Sequence, residues 1–335
     1  MAYDVKVNID LAKPVGLLGF GVPLILVENA EKEVAYTEVS NTEEIVSAGI
    51  SNTSVAYKAA QLLFSQTNSP KTIAVCAATA AATAALANTM LTDKGWRQLI
   101  VVTDGESPST PAAISTLVEA LDGKMYFANL PVDDKTSITV SGLRRTVLFY
   151  CTPTDDYPVP VAALVGNTAG LSAGSFTYKN MVLSGIKPQD LTDSEIEAIH
   201  KKGGITFVTK AGDNVTSEGK VAGGEYIDII DSEDYIIQQL AYKTQKVLNN
   251  TKKVPYDNNG IALLESVAAD VLQDAYNQGM IVTNTDGTPG YTVSYAMRED
   301  TKATDRANRK YLGGSFSFAL TGAIHEVEIT GEITV

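Results

Sequence analysis

The chain has 335 residues, of which 44% are hydrophobic and 19% charged, a composition typical of a folded globular protein. Its formal net charge is −13, so its surface would repel phosphate backbones and anionic lipids. This excludes general nucleic-acid binding and membrane docking as expected functions. The first residues alternate in polarity and form no apolar block, so we expect no signal peptide. The longest apolar-leaning stretch, residues 77–91, is broken by polar side chains and is too short to span a bilayer, so we expect no membrane-spanning helix.

The first segment alternates strictly between apolar and polar residues, which predicts a strand with one buried face. Its apolar positions are Tyr3, Val5, Val7, Ile9 and Leu11. A breaker that contains Pro14, Gly16 and Gly19 follows and separates this strand from the rest of the chain, as a hinge would.

Short apolar runs then alternate with helical patterns up to about residue 210. Strands are predicted at residues 23–28, 34–39, 72–77, 98–103, 124–129, 147–151 and 205–209. Helices are predicted at residues 42–48, 53–66, 80–91, 111–121, 159–170 and 193–201, the last opened by a capping box of Thr192 and Glu195. This order favours an α/β fold with a mainly parallel sheet covered by helices on both faces.

The C-terminal part has a different pattern. Residues 212–224 are rich in glycine and polar side chains and are predicted to be flexible. We predict a strand at residues 226–230, a helix capped by Asp231, and a second amphipathic helix closed by Gly279. Two further strands are predicted at residues 291–297 and 315–320.

The last segment mirrors the first. Val327, Ile329, Ile333 and Val335 alternate with polar residues as far as residue 335. A single terminal strand usually pairs within its own chain, but here both ends alternate and a breaker precedes the body. We therefore hypothesise that both ends pair with neighbouring subunits by strand addition, which favours a ring or a helical tube.

Residues that could carry chemistry are scarce. His200 and His325 have no partner at metal-ligand spacing and are expected to be solvated. Asp104 follows a buried strand, where α/β sheets often bind ligands, although an ordinary Asp-Gly turn is the favoured explanation. Cys76 and Cys151 lie in apolar runs and are expected to be free buried thiols in a reducing compartment. We expect no cofactor and no metal.

One basic stretch stands out in this acidic chain. Lys243, Lys246, Lys252 and Lys253 fall close together. They are either a solvated helix end, where cations favour the helix dipole, or a docking patch for an acidic partner.

Several blocks occur in a recognisable order. They are VKVNIDL at residues 5–11, GFGVPLIL at 19–26, GGIT at 203–206, PYDNN at 255–259, DRANR at 305–309 and SFSFAL at 315–320. In this combination the chain resembles the sheath subunit of contractile phage tails, in a compact subgroup that also includes phage-tail-like bacteriocin sheaths.

The resemblance implies a domain organisation and a function. An α/β domain would occupy residues 21–210 and an α+β C-terminal sheath domain residues 211–320, with strand arms at 1–20 and 321–335. The chain would be a structural subunit, not an enzyme, that forms stacked hexameric rings around an inner tube and contracts to drive the tube through a target envelope.

The resemblance also implies partners and a location. The partners would be other copies of the chain, the inner tail tube protein, and the baseplate and tail terminator proteins. The basic stretch would face an acidic tube. The protein would reside in the tail of a virion after assembly in the host bacterial cytoplasm.

Two other classes stay open on the residues alone. One is another self-assembling protein, such as a capsid or surface-layer subunit. The other is an α/β enzyme with a site near Asp104.

Overall fold

An eight-stranded sheet forms the centre of the computed structural model, which describes residues 21–103, 108–134 and 140–331. Its strands are β1 Val22–Glu28, β2 Val34–Val39, β3 Ile73–Ala77, β4 Trp96–Thr103, β5 Met125–Leu130, β6 Thr146–Tyr150, β7 Gly204–Lys210 and β8 Asp213–Thr216. Their order is β2-β3-β1-β4-β5-β6-β7-β8. The strands β3, β1, β4, β5, β6 and β7 run parallel to one another, and β2 and β8 are antiparallel edge strands.

Helices cover both faces of this sheet, as predicted. On β1, Ile25 and Val27 face one core and Leu24 and Leu26 the other, all at most 1% exposed. The first core is closed by α1 Thr42–Ser47, α2 Val55–Phe64 and α6 Val161–Ala169; the second by α3 Ala82–Leu86, α4 Thr89–Thr92, α5 Pro111–Val118 and α7 Asp193–Lys201. The predicted mainly parallel α/β fold is confirmed.

Two helices begin with side-chain caps, and the second is the predicted capping box. The Asn41 side chain accepts a hydrogen bond from the Glu44 backbone N–H at 3.0 Å. Thr192 and Glu195 form the reciprocal capping box at the start of α7. Such caps satisfy backbone donors that the first helical turn leaves without partners.

A second, smaller unit follows the sheet. It contains α8 Ile227–Asn250, α9 Asn258–Asn277, β9 Tyr291–Tyr295, a 3₁₀ turn at Arg298–Asp300, α10 Ala303–Ala307 and β10 Gly314–Phe318. The strands β9 and β10 pair antiparallel and pack on α8 and α9 around a third core. No helix in the described ranges is long and apolar enough to cross a bilayer.

The corner between α8 and α9 requires a glycine. Asp257 caps α9 by accepting a hydrogen bond from Gly260 N–H at 2.9 Å. A Cβ at Gly260 would lie 1.9 Å from the Pro255 carbonyl oxygen, so no larger residue fits without moving the backbone. The PYDNN block is therefore followed by glycine for a packing reason.

Three predicted elements are wrong. Residues 80–91 form two short helices, α3 and α4, not one. Residues 212–224 include β8, and Ser217 and Val221 are at most 1% exposed, so this stretch is not an exposed flexible loop. Residues 226–230 are not a strand, because α8 already begins at Ile227. Asp231 lies inside that helix and does not cap it.

Candidate assembly interface

A buried ion network fixes the start of α8 to the sheet. Arg97, at the start of β4, donates to Asp231 Oδ1 at 2.5 Å and to Asp234 Oδ2 at 2.7 Å. Arg145, just before β6, donates to both carboxylate oxygens of Asp234. Tyr178 Oη donates to Asp231 Oδ2 at 2.9 Å. Every buried charge in the network therefore has an opposite charge and hydrogen bonds, the condition under which ions are tolerated in a core.

Pairing outweighs burial in this network. Burial alone would raise the pKa of Asp234, but the Arg97 and Arg145 guanidiniums hold that pKa below 3.8. Burial, and then Asp231, raise the pKa of the Tyr178 hydroxyl well above 10.0, so the hydroxyl keeps its proton and donates. The network thus holds the start of α8 through charge pairs and hydrogen bonds.

The long helix α8 joins the two units. Ile227 and Ile230, in its first turn, belong to the core of the large sheet. Ile236 and Leu240, further along, belong to the core shared with α9, β9 and β10. One continuous helix thus contributes to both cores, and the ion network anchors its start.

The small sheet has open edges. Tyr291, Val293 and Phe316 face the α9 core, while Thr292 and Ser317 are exposed on the other face. Ala296 N–H donates to the Gly313 carbonyl. In this antiparallel register the backbone groups of the even-numbered residues of β9 therefore bond to β10. The backbone groups of Val293 therefore point outward, and within the described residues no strand pairs with them.

The last described segment exposes apolar side chains. Residues 321–331 form no helix or strand. Ile324 is 85% exposed, Val327 75% and Ile329 89%. Aliphatic side chains this exposed, alternating with Glu326 and Glu328, are suited to a second surface that covers one face of the segment.

Solved structures share this arrangement over nearly the whole chain. The baseplate of the anti-feeding prophage (AFP) contains a chain with a TM-score of 0.72 and 15% identity, with 99% of this chain and 98% of that chain covered. The AFP helical sheath in its contracted state gives 0.72 and 14%, with 98% of each chain covered. The contracted sheath complex of PVC, an extracellular contractile injection system, gives 0.71 and 13%, covering 99% and 96%.

The chain has the fold of a contractile sheath protein. Residues 227–333 also match the family model of the E217 tail sheath protein gp31-like C-terminal domain. A comparison with curated proteins gives no match. The resemblance seen in the sequence is confirmed: the sheath fold extends over the chain, and α8, α9, β9 and β10 lie in the part that matches the C-terminal sheath domain.

The four lysines predicted to face a tube have different surroundings in the sheath fold. Lys243 pairs with Asp274 of α9 at 2.6 Å, so its charge is already compensated within the subunit. Lys246, on α8, lies 5.9 Å from the Tyr242 ring centroid and is exposed. Lys252 and Lys253 are exposed in the α8–α9 corner. Three of the four are thus exposed, and their contact with a tube stays a prediction.

Other predicted positions lie outside the described residues. These are the N-terminal arm positions Tyr3, Val5, Val7, Ile9 and Leu11, its hinge at Pro14, Gly16 and Gly19, the last arm positions Ile333 and Val335, and the alternative site at Asp104. Of the predicted arm residues, Val327 and Ile329 are described, and both are exposed.

The histidines and cysteines have different surroundings. The prediction that His325 is solvated is wrong, because only 8% of its side chain is exposed. Burial lowers the pKa of His200, whose Nε2 lies 2.9 Å from Ser217 Oγ. Cys76 and Cys151 are free and buried as predicted, and burial raises both thiol pKa values to about 12. Across the described ranges no three acidic, His or Cys side chains are grouped to hold a metal ion.

Sequence reasoning missed the ion network and the burial of His325. A signal for the network existed, because Arg97 interrupts the apolar run WRQLIVVT, and a charge in a buried strand needs a partner. Asp231 and Asp234 are three positions apart and so share one helix face. Nothing local, however, indicates that they meet Arg97.

Proposed function

We propose that this chain is the structural subunit of a contractile sheath. In this proposal the subunits polymerise as stacked hexameric rings around an inner tube and contract to drive the tube through a target cell envelope. The observation that carries the proposal is the similarity of nearly the whole chain to a helical sheath in its contracted state.

The geometry of the subunit supports a polymer joined by strands. The body is made rigid by α8, and the small sheet offers outward-pointing backbone groups at Val293. The exposed segment with Val327 and Ile329 is a strand donor of matching character. Strand addition between such elements gives affinity through main-chain hydrogen bonds. Because donor and acceptor are different surfaces, the contact is heterologous, and such contacts build rings when the rotation between subunits closes and helical assemblies when it does not.

The proposal assigns the arms a mechanical role. The N-terminal arm, residues 1–13, and the C-terminal arm, residues 323–335, would remain bonded to neighbours while the rigid bodies move. The energy for contraction would be stored in contacts between subunits, so the protein would be non-enzymatic and use no cofactor.

The proposed partners are other copies of this chain, the inner tail tube protein, and the baseplate and tail terminator proteins. Neither nucleic acid nor membrane lipid is a proposed ligand. The proposed location is the tail of a virion or phage-like particle, after assembly in the host bacterial cytoplasm.

Electron microscopy of the purified full chain tests this proposal. Hollow tubes built from stacked six-membered rings are the expected result. Flat sheets or closed shells would instead indicate a surface-layer or capsid subunit, and monodisperse particles at all concentrations would reject a polymer.

A further inference from the structure

His325 is buried in a segment that is otherwise exposed. Its side chain is 8% exposed, whereas Ile324 before it is 85% exposed and Val327 after it 75%. The chain is last held by a backbone hydrogen bond at Thr321, whose N–H donates to the Met280 carbonyl at 2.8 Å. His325 is thus a separate attachment point at the root of the C-terminal arm.

Three parts of the large unit hold the imidazole. Its Nε2 lies 2.8 Å from Thr177 Oγ1, within hydrogen-bond distance. The ring meets the Tyr226 ring edge to face, with centroids 4.9 Å apart and an interplanar angle of 87°. Nδ1 lies 3.5 Å from Glu218 Oε1 and is buried without a hydrogen bond. We call Thr177, Glu218 and Tyr226 the arm-root socket.

The socket is itself held together by charge. Lys220 Nζ lies 4.8 Å from the Tyr226 ring centroid and 3.5 Å from Glu218 Oε2. Tyr226 stands directly before α8, whose start is fixed by the Arg97 network. The socket therefore adjoins the start of α8, which the Arg97 network holds against the sheet.

Glu326 adds a second contact. Its carboxylate lies 3.6 Å from Lys179 Nζ, and the Lys179 side chain is only 9% exposed. Lys210 and His200 lie close to Lys179. Burial is the largest cause that lowers the pKa of Lys210, and the charge of Lys179 is the second largest. Glu326 thus supplies negative charge near two lysines, Lys179 and Lys210. Since Glu326 is itself 90% exposed, we assign most of the attachment to His325.

We propose that the arm-root socket binds His325 in cis and so fixes where the C-terminal arm leaves its own subunit. This inference rests on the proposed sheath function and adds an intramolecular binding site to it. Only residues from Val327 onward are then free to reach a neighbour. At about 3.3 Å per residue, residues 327–335 span about 30 Å when extended.

Fixing the root favours assembly for an entropic reason. Without the socket the free arm begins at residue 322, which lengthens it by about half. Effective concentration falls roughly as the −3/2 power of tether length, so the arm would lose about twofold in local concentration at its acceptor. A fixed root also reduces the conformational freedom that is lost on strand addition.

The test measures arm motion on the unassembled full chain. A fluorescent label on Ile329→Cys reports this motion. The label should react selectively, because Cys76 and Cys151 are buried thiols whose pKa is raised to about 12. At concentrations too low for assembly, His325→Ala should clearly lower the anisotropy of the label. Thr177→Val should also lower it, because it removes the socket hydroxyl that lies against the imidazole. The matched control Ile324→Ala, one residue earlier and exposed, should leave anisotropy unchanged.

The outcomes distinguish failure of the arm-root socket from failure of the sheath proposal. Equal anisotropy in the parent, His325→Ala and Ile324→Ala proteins would overturn the socket, whatever the protein assembles into. Sedimentation of unlabelled His325→Ala should show a critical concentration raised at least about twofold. Failure of the unsubstituted chain to form tubes at any concentration would reject the sheath proposal alone, since anisotropy still decides the socket.

Discussion

Arg97 Nη1 and Asp234 Oδ2 lie 2.7 Å apart, with 4% and 10% of their side chains exposed. The pair joins the start of β4 to the second turn of α8, across 137 positions of sequence. A charge pair buried this deeply does not by itself make a fold more stable than an apolar pair would, but removal of one partner leaves the others buried and uncompensated. The pair therefore makes the attachment of α8 to the sheet strongly dependent on each of its members.

Substitution of Arg97 tests this dependence. Arg97→Leu leaves Asp231 without its guanidinium and Asp234 with only Arg145, and should lower the free energy of unfolding by about 3–5 kcal/mol. Urea denaturation followed by circular dichroism measures the loss. Arg144→Leu is the matched control, because Arg144 is 39% exposed and pairs with Glu225 and Glu233 at the surface. It should cost about 1 kcal/mol or less. Equal losses in the two variants would show that burial of the network does not matter.

Asp234 determines the direction in which the free energy of unfolding changes with pH. Its folded pKa is held low by Arg97 and Arg145 against the opposing effect of burial. The stabilisation is therefore present above the unfolded pKa of about 3.9 and is lost as the pH falls through that value toward the folded pKa. Urea midpoints at pH 7, 5, 4 and 3 measure it. The gap between the parent protein and Asp234→Asn should narrow below about pH 4. The gap for the exposed Asp156→Asn should stay small throughout, and a constant gap for Asp234→Asn would contradict the linkage.

Much of the fold was predictable because the sheet strands are apolar on both faces. Runs such as PLILVE and QLIVVT have no other stable placement than a covered parallel sheet, and these strands were placed within about two residues. The run YIDII was misassigned because Tyr and Ile favour strands locally. In the structure, Ile227 and Ile230 share one helix face toward the core, and the helix is anchored by Arg97, which is distant in sequence.

The candidate interface was less predictable because its contacts join residues that are distant in sequence. Alternation identified Val327 and Ile329 as a potential strand, and both are exposed. Period-two alternation carries no information on where the strand begins to leave the body. That point is set by His325 against Thr177, a contact across 148 positions that no local pattern encodes. Likewise, the compensation of Lys243 by Asp274 depends on helix packing.

The open edge of β9 gives a prediction for assembly. Val293→Pro removes an N–H that points away from β10, so the small sheet should keep its internal bonds while strand addition at this edge is blocked. The variant should remain folded by circular dichroism but form few or no tubes in electron micrographs. Thr292→Pro removes an N–H that bonds to β10 and should instead destabilise the small sheet itself. Normal tubes from Val293→Pro would exclude this edge as the acceptor.

Deletion of the arms should separate folding from polymerisation. Removal of residues 1–13 or 323–335 should leave a folded monomer that does not polymerise, because all three cores lie within residues 21–320. A third deletion, of residues 327–335, keeps His325 in its socket and should also abolish tubes, since the donor strand is gone. Analytical ultracentrifugation and electron microscopy measure the outcome. Tubes that form normally without either arm would rule out strand exchange as the link between subunits.

Charge reversal tests the predicted tube contact. Lys246, Lys252 and Lys253 are exposed, whereas Lys243 is paired with Asp274. The triple variant Lys246→Glu, Lys252→Glu, Lys253→Glu should abolish co-assembly with an acidic inner tube, because opposite charges across an interface become like charges. Co-sedimentation with the tube protein measures this. A control triple at the exposed Lys32, Lys71 and Lys201 makes the same change in net charge and should co-assemble normally. Reversal of Lys243 alone should mainly break its pair with Asp274 and cost about 1 kcal/mol of stability or less. Unchanged co-sedimentation of the first triple would place the tube contact elsewhere on the subunit, and equal loss in both triples would make net charge, not this surface, the cause.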